Sequence, residues 1–185
     1  MILPIYTYGQ PVLRKVAGDI DQNYEGLDQL IEDMFETLRR AEGVGLAAPQ
    51  IGLSIRLAIV DLDVISNEIP EFKDFRKVFI NARIIEIEGE QISFEEGCLS
   101  FPDIHEKVIR AKRARVAYLD KDFKPHDEWV DDYLARVLQH EIDHLDGKCF
   151  IDRMSSLRRQ LNKSRLKAIS AGKVDCDYKV KLRKK

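Results

Sequence analysis

The segment QHEIDHLDG, residues 139–147, carries two histidines four positions apart, with a glutamate directly after the first. On a helix, His140 and His144 would project from the same side one turn apart, so both imidazoles could bind one metal ion. Glu141 would lie one position round the helix, beside the ion, where a carboxylate can act as a base toward water. The pattern therefore predicts half of a hydrolytic metal site, because two imidazoles alone hold a metal poorly.

The third ligand is expected to lie upstream of this segment. An HExxHxxGxxH site needs a histidine at position 150, and the chain has Phe150 there. A downstream glutamate is excluded, since Glu141 is the last glutamate in the sequence. Asp146 and Asp152 remain downstream, and nothing marks either of them as a ligand.

Three upstream side chains could complete the site: Cys98, His105 and His126. His105 falls in an expected strand and His126 in a turn before the helix, and both are interpreted as ordinary surface or half-buried histidines. Cys98 follows Gly97, which lets backbone approach closely, and precedes Pro102, which stops a strand. A lone cysteine is usually a small buried apolar residue. Here its thiolate is the best candidate to form a Cys-His-His set with an open position for water.

The elements that must position these residues are read from hydrophobic periodicity. Residues 25–41 are predicted to form an amphipathic helix, and residues 127–146 a second helix closed by Gly147. A last, basic helix is expected from about Leu157. Strands separated by turn residues are predicted at residues 55–63, 77–102 (with a turn at Gly89) and 114–120. Runs of strands set against two or three helices favour an α+β fold over a wound parallel sheet.

Length and composition indicate one globular domain over residues 1–185, with 44% hydrophobic and 34% charged residues. There is no run of eighteen apolar residues, and three cysteines show no framework spacing, so we expect a cytoplasmic protein without a membrane partner. Residues 156–185 hold eleven Lys/Arg against two Asp/Glu, although the net charge of the chain is −2. This basic helix or tail (about 157–185) predicts contact with a polyanion, with a solvated tail as the alternative.

Three segments occur in the order of the three sequence motifs of peptide deformylases and resemble them: GVGLAAPQIG (43–52), EEGCLS (95–100) and QHEIDHLDG. GQPVLRKVA (9–17) is also similar to that family's opening, so the resemblance covers about residues 1–160. It implies an α+β fold in which antiparallel sheets enclose a central helix bearing the HExxH histidines, with an N-terminal and a C-terminal helix. It also implies removal of the formyl group from the initiator methionine of nascent polypeptides. Fe²⁺ is the usual metal of the family, and Zn²⁺, Ni²⁺ or Co²⁺ can replace it.

The resemblance assigns roles by motif. The implied metal ligands are Cys98, His140 and His144, and the implied general acid/base is Glu141. The implied donors to the oxyanion are the Gln50 amide and the Leu99 N–H. Substrate binding is expected along Gly43, Val44 and Gly45, where an extended peptide could pair like an added strand, and at Gly97.

Other interpretations of the same residues stay open at this point. One is a zincin-like metalloprotease, and another is a structural zinc module made of Cys98, Cys149, His140 and His144. A third is a Cys98 nucleophile with a histidine base. As partners we expect formyl-methionyl nascent peptides and, through the basic segment from Arg158, the ribosome near its exit tunnel. Sequence-specific binding of nucleic acid is not expected.

Overall fold

The protein, described here by a computed structural model over residues 1–182, has seven strands and four α-helices in that part of the chain. In chain order these are β1 (Ile5–Tyr6), α1 (Leu27–Arg40), β2 (Gly45–Ala47), β3 (Leu57–Asp61), β4 (Arg76–Gly97), β5 (His105–Leu119), β6 (Pro125–Asp131), α2 (Asp132–Leu145), α3 (Ser156–Leu161), α4 (Lys163–Ser170) and β7 (Val180–Lys181). Short 3₁₀ turns connect several of them. The expected α+β class is confirmed.

Five strands form one antiparallel sheet in the order β2-β3-β4-β5-β6. A second, two-stranded sheet joins β1 to β7 in parallel, a pairing that the expectation of purely antiparallel sheets did not include. Each strand of this sheet pairs with its neighbour along the chain, which antiparallel strands can do without a crossover connection. Its edge strand β2 runs directly into the 3₁₀ turn Ala48–Ile51.

The predicted turn at Gly89 is wrong, because β4 is one continuous strand of 22 residues. Gly89 has a φ of +85° and lies where the register with β5 shifts between Glu88 and Gln91. A residue without Cβ adopts this conformation freely, and one extra residue in a strand bends it without ending the pairing. The chain instead reverses after Gly97, just beyond the end of β4 and close to the site.

Helix α2 lies at the centre of the protein, with every residue from Ala135 to Leu145 buried. The helix predicted over 127–146 begins later, at Asp132, because residues 125–131 pair with β5 as strand β6. His126 is therefore on a strand and not in a turn. Helix α1 matches its prediction and buries Ile31, Met34 and Leu38 against β3. None of the helices described within residues 1–182 has the length and hydrophobicity to cross a membrane.

The basic segment over 157–185, predicted as one helix or tail, contains two helices and a strand in its described part. Two short helices, α3 and α4, meet at Asn162, and residues 173–182 (the strap) then run back along the protein. Burial alternates along the strap, with Val174, Cys176, Tyr178 and Val180 partly covered and their neighbours exposed. The letters KVDCDYKVK (173–181) carry this alternation in the sequence, a strand signal that the charge count obscured. Residues 183–185, also part of the predicted tail, lie outside the described residues.

Candidate active site

Three side chains that can bind a metal meet at the centre of the protein, as the motifs predicted. Cys98, His140 and His144 each offer one ligand atom, and these atoms lie within 4.8 Å of one another. Cys98 Sγ is 3.3 Å from His144 Nε2, and the two imidazole centroids are 5.1 Å apart. The histidines are one turn apart on α2, while Cys98 comes from the turn after β4. This geometry fits a single ion bound by one sulfur and two nitrogens.

The electrostatics of the two histidines also fit a cation. Burial lowers the pKa of His144 well below its ordinary value, with a further contribution from His140, so His144 is held in the neutral form that binds metal. Burial alone would also lower the pKa of His140, but hydrogen bonding to Cys98 and Glu96 raises it to about 10. The surroundings of His140 therefore favour positive charge, which a divalent cation would supply.

Glu96 orients His140 from behind. Glu96 Oε2 accepts from His140 Nδ1 at 3.0 Å, which leaves Nε2 to face the other ligands. The same carboxylate receives Arg110 Nε and Nη2 at 2.7 and 3.0 Å, and Arg136 Nη1 at 2.6 Å. Although burial would raise the pKa of Glu96, the hydrogen bonds from His140 and Arg110 hold it well below its ordinary value. Glu96 is thus a buried anion, and both of its oxygens accept hydrogen bonds from cationic or polar side chains.

Asp143 extends this buried network along α2. Its carboxylate accepts from Arg110 Nη1 at 2.8 Å and from Arg153 Nε and Nη2, both at 2.6 Å. Burial favours the neutral acid, but Arg153 and Arg110 lower the pKa of Asp143 below its ordinary value. Motifs and periodicity did not identify Glu96, Asp143 or their arginines. The available signal was Arg110 itself, a charge two positions from Val108 on the same inward face of β5.

Glu141 lies beside the ligands and faces the cavity. It is buried, and its Oε2 has no hydrogen-bond partner within residues 1–182. Burial raises the pKa of Glu141 to about 7, against the lowering influence of His140 and Arg110. Gly45 makes room for it, since a Cβ at that position would lie 2.5 Å from Glu141 Oε1. A carboxylate with an unpaired oxygen and a pKa near neutrality can take up and return a proton.

Two hydrogen-bond donors lie close to Cys98. Gln50 is buried, and its Oε1 accepts from Ala47 N–H at 2.8 Å, which fixes the amide orientation. Its Nε2 then points toward Cys98 Sγ at 3.5 Å and Ser100 Oγ at 3.4 Å. The Leu99 N–H has no hydrogen-bond acceptor among residues 1–182. Donors of this kind can stabilise negative charge that develops on a substrate oxygen.

A cavity of about 500 Å³ opens in front of these groups. It is lined by the predicted site residues Gly43, Val44, Gly45, Gln50, Gly97, Cys98, Leu99, His140 and Glu141. His105 also lines it, with its ring over Gly97, where a Cβ would come within 2.7 Å of the imidazole. His105 and His126 take no part in the candidate metal group, as expected for ordinary histidines.

Cys149 is not part of the candidate metal group, so the geometry does not support the structural zinc module. Within residues 1–182 the candidate metal group is Cys98, His140 and His144 alone. Cys149 is buried in the cluster that contains Leu13 and Phe150, with Leu13 O 3.9 Å from its sulfur. Burial raises the pKa of this thiol well above its ordinary value. Cys149 is a core residue.

The fold and the site together define a metal-dependent hydrolase in which a central HExxH helix meets a cysteine from a neighbouring turn. A sequence model of the family described as polypeptide deformylase matches residues 2–160. A peptide deformylase of Christiangramia forsetii is 45% identical over 98% of this chain and 96% of its own length. One from Flavobacterium psychrophilum is 46% identical, covering 98% and 97%.

A solved structure agrees with these sequence matches. The crystal structure of a peptide deformylase from Legionella pneumophila has a TM-score of 0.80 and 40% identity, covering 90% of this chain and 94% of that one. The chain belongs to the polypeptide deformylase family, metal-dependent hydrolases that remove the N-formyl group from nascent polypeptides. The zincin-like protease is thereby set aside.

Proposed function

We propose that this chain deformylates formyl-methionyl peptides with Cys98, His140 and His144 as metal ligands and Glu141 as the general acid and base. The observation that carries the proposal is the unpaired, buried Glu141 oxygen beside a Cys-His-His set in an open cavity. A divalent ion at these ligands supplies Lewis acidity toward the formyl oxygen and lowers the pKa of water at the site. The remaining work falls to side chains and backbone of the chain itself.

In the proposed reaction Glu141 takes a proton from water as the water oxygen attacks the formyl carbon. The carbonyl oxygen then carries negative charge, which accepts hydrogen bonds from Gln50 Nε2 and the Leu99 N–H. Glu141 returns the proton to the amide nitrogen and the C–N bond breaks. The hydroxyl proton of the resulting formic acid passes to the amine, so formate and a methionyl ammonium ion leave. The raised pKa of Glu141 agrees with a carboxylate that accepts and returns one proton.

The substrate backbone is proposed to pair along residues 43–45. Strand β2 is an edge of the large sheet, so one side of its backbone is open to an added strand. There is no room for a side chain at Gly43, because a Cβ there would come within 2.8 Å of Leu38 and 3.2 Å of Leu99. Gly97 lines the facing wall. An extended peptide could then present its formyl end between Glu141 and Gln50.

The test is formate release from a formyl-methionyl peptide by metal-analysed enzyme, with Glu141→Gln beside the wild type. We expect Glu141→Gln to retain metal and to lose activity by a factor of roughly 10² to 10⁴. A wild type that releases no formate with any divalent metal would overturn the proposal. Activity that survives complete metal removal would favour a Cys98 nucleophile instead.

We propose Fe²⁺ as the native ion, with Zn²⁺, Ni²⁺ or Co²⁺ able to occupy the site. A thiolate with two imidazoles suits ions of intermediate softness, and the order of affinities does not by itself select among them. Air should inactivate the Fe²⁺ enzyme, since oxygen can reach a ferrous thiolate site through the open cavity, while the Ni²⁺ enzyme should survive. Metal content of protein purified anaerobically from its own cells, followed by aeration of each form, tests this. Equal survival of both forms would contradict it.

We also propose that α3 and α4 dock the enzyme near the ribosomal exit tunnel, which would place the reaction in the cytoplasm. Arg159, Lys163 and Lys167 recur at four-residue spacing and line one groove beside Tyr8. Lysine and arginine rows of this kind bind polyanions such as ribosomal RNA. A truncation that removed α3 and α4 would also remove the strap, which is part of the fold. Charge reversal in the groove is therefore the better test.

The variant Arg159→Glu/Lys163→Glu/Lys167→Glu is expected to lose co-sedimentation with ribosomes at low salt and to keep its activity on a free peptide. The matched control reverses the same number of charges at three exposed lysines outside the groove, Lys73, Lys121 and Lys124. Equal co-sedimentation of both variants would contradict docking through this groove.

A further inference from the structure

Residues 98–101 form a tight turn (the Cys98 turn) that carries Cys98 and Leu99. Phe101 N–H donates to the Cys98 carbonyl at 2.8 Å, which closes a four-residue β-turn. This bond fixes the plane of the Cys98–Leu99 peptide, and the Leu99 N–H lies in that plane, pointing in the direction opposite to the Cys98 carbonyl. The Ser100 carbonyl is held as well, by Tyr8 N–H at 2.8 Å. Two of the three carbonyls in the turn are thus bound by backbone.

The third carbonyl, that of Leu99, is held by a side chain from the strap. Tyr178 OH donates to Leu99 O at 2.8 Å. This carbonyl belongs to the central peptide of the turn, the one whose rotation distinguishes type I from type II turns. Its rotation would break the bond to Tyr178 and redirect Ser100, whose Oγ lies 3.4 Å from Gln50 Nε2. The orientation of this peptide therefore bears on Gln50 through Ser100, and it adjoins the peptide that carries the Leu99 N–H.

The strap holds Tyr178 in place from both sides. Beyond it, β7 pairs with β1, and Ile5 N–H donates to Lys179 O at 2.8 Å. Before it, Val174 packs against the cluster around Phe150. Tyr178 itself packs against the cluster that contains Leu46 and lines the cavity. Burial raises the pKa of the Tyr178 hydroxyl above its ordinary value, so it keeps its proton and can donate.

We propose that Tyr178 is a positioning residue for deformylation, which sets the Cys98 turn so that Leu99 N–H and Gln50 both face the developing oxyanion. The inference rests on the proposed roles of Leu99 and Gln50. It adds a functional residue outside residues 2–160, the part that the family's sequence model matches. The strap is thereby a working part of the active site.

The test compares Tyr178→Phe with the wild type at equal metal content. The change removes one hydroxyl and leaves the ring in the cavity wall. We expect kcat to fall roughly 3- to 10-fold, the effect of one lost hydrogen bond expressed in the transition state, with KM within about twofold of the wild type. The matched control is Tyr118→Phe, which removes a hydroxyl bonded to Glu128 Oε1 at 2.7 Å in the β5–β6 hairpin. Its kcat should stay unchanged.

A double-mutant cycle with Gln50→Ala separates positioning from a general loss of order. If Tyr178 acts through the oxyanion donors, its removal should cost less in the Gln50→Ala background than in the wild type. An unchanged kcat in Tyr178→Phe, a change in KM alone, or fully multiplicative losses in the double variant would each overturn the proposal. If Gln50→Ala alone kept full kcat, the donor assignment would fall, and the inference with it.

Discussion

Strand β5 carries two arginine–carboxylate pairs of nearly identical geometry in opposite surroundings. Arg110 binds Glu96 through Nε and Nη2 at 2.7 and 3.0 Å, and Arg115 binds Asp127 through the same atoms at 2.7 and 2.9 Å. The Arg110 side chain is 0% exposed and that of Glu96 6%, whereas Arg115 and Asp127 are 40% and 47% exposed. Hydrogen-bond geometry therefore does not distinguish the pairs, and burial does.

Burial determines how much each pair contributes to stability. The exposed pair can exchange its partner for water at little cost, so its contribution is small. The buried pair cannot, because removal of either partner leaves the other charge without water and with fewer of the opposite charges that balance it. The buried pair also reaches the metal site, since Glu96 holds His140 and Arg110 continues to Asp143. A local charge balance there supports the ligand geometry.

The largest expected effect is that of Arg110→Met. This change leaves Glu96 and Asp143 as buried carboxylates with fewer partners, which should cost about 3–5 kcal/mol of unfolding free energy. For a domain of this size that corresponds to a melting temperature lower by roughly 6–20 °C. Arg115→Met, the matched control on the same strand, should leave the melting temperature unchanged. Equal melting temperatures for the two variants would remove the distinction between the pairs.

A smaller effect, on metal affinity, is expected of Glu96→Gln. The amide cannot hold the His140 ring with the strength of a carboxylate, and loss of such an outer partner weakens metal binding about 10- to 100-fold. Competition with a chelator measures this directly. Asp127→Asn, which alters the partner of Arg115 in the same manner, should bind metal as the wild type does. An unaltered affinity in Glu96→Gln would assign Glu96 to stability alone.

The smallest expected effect belongs to an ion pair of intermediate burial, Glu106 with Arg158 at 2.5 Å. Hydrogen bonds from Asn162 and then Arg158 lower the pKa of Glu106 below its ordinary value of 4.5. A lowered folded-state pKa gives stability that is present above about pH 4.5 and is lost as the pH falls through the folded-state value. The wild type should thus exceed Glu106→Gln by less than about 1 kcal/mol at neutral pH.

Chemical denaturation at a series of pH values checks the sign of this contribution. The difference between wild type and Glu106→Gln should narrow as the pH falls below about 4.5. A difference that grows in acid would show that Glu106 is stabilised as the neutral acid.

The sequence predicted the parts of the site that depend on local order. The ligand pair His140 and His144 follows from helical spacing, and Cys98 from elimination and from the order of three motifs. The α+β class followed from alternating and helical periods. The metal-ligand roles of Cys98, His140 and His144 and the catalytic roles of Gln50, Leu99 and Glu141 all stay predictions, supported by the convergence of these residues on one site.

What the sequence did not predict depends on contacts between distant segments. Arg110 pairs with Glu96 across the sheet and with Asp143 on a helix, and nothing local marks that meeting. Gly89 was assigned to a turn because glycine serves both turns and bulges, and only the register with β5 separates the two. The start of α2 was placed too early because β6 takes its residues from the same polar stretch.

The pairing of β1 with β7 has a consequence for the time course of folding. Gln10 Nε2 donates to Lys181 O, and these residues lie 171 positions apart in the chain. Closing so long a loop carries a large entropic cost and returns only a two-residue ladder, so it is expected among the late events. The helices and the large sheet can form earlier, because their contacts join residues that are closer together in the chain. In refolding, recovery of the α2 helix signal should therefore precede recovery of full turnover, with the interval set by the docking of the strap.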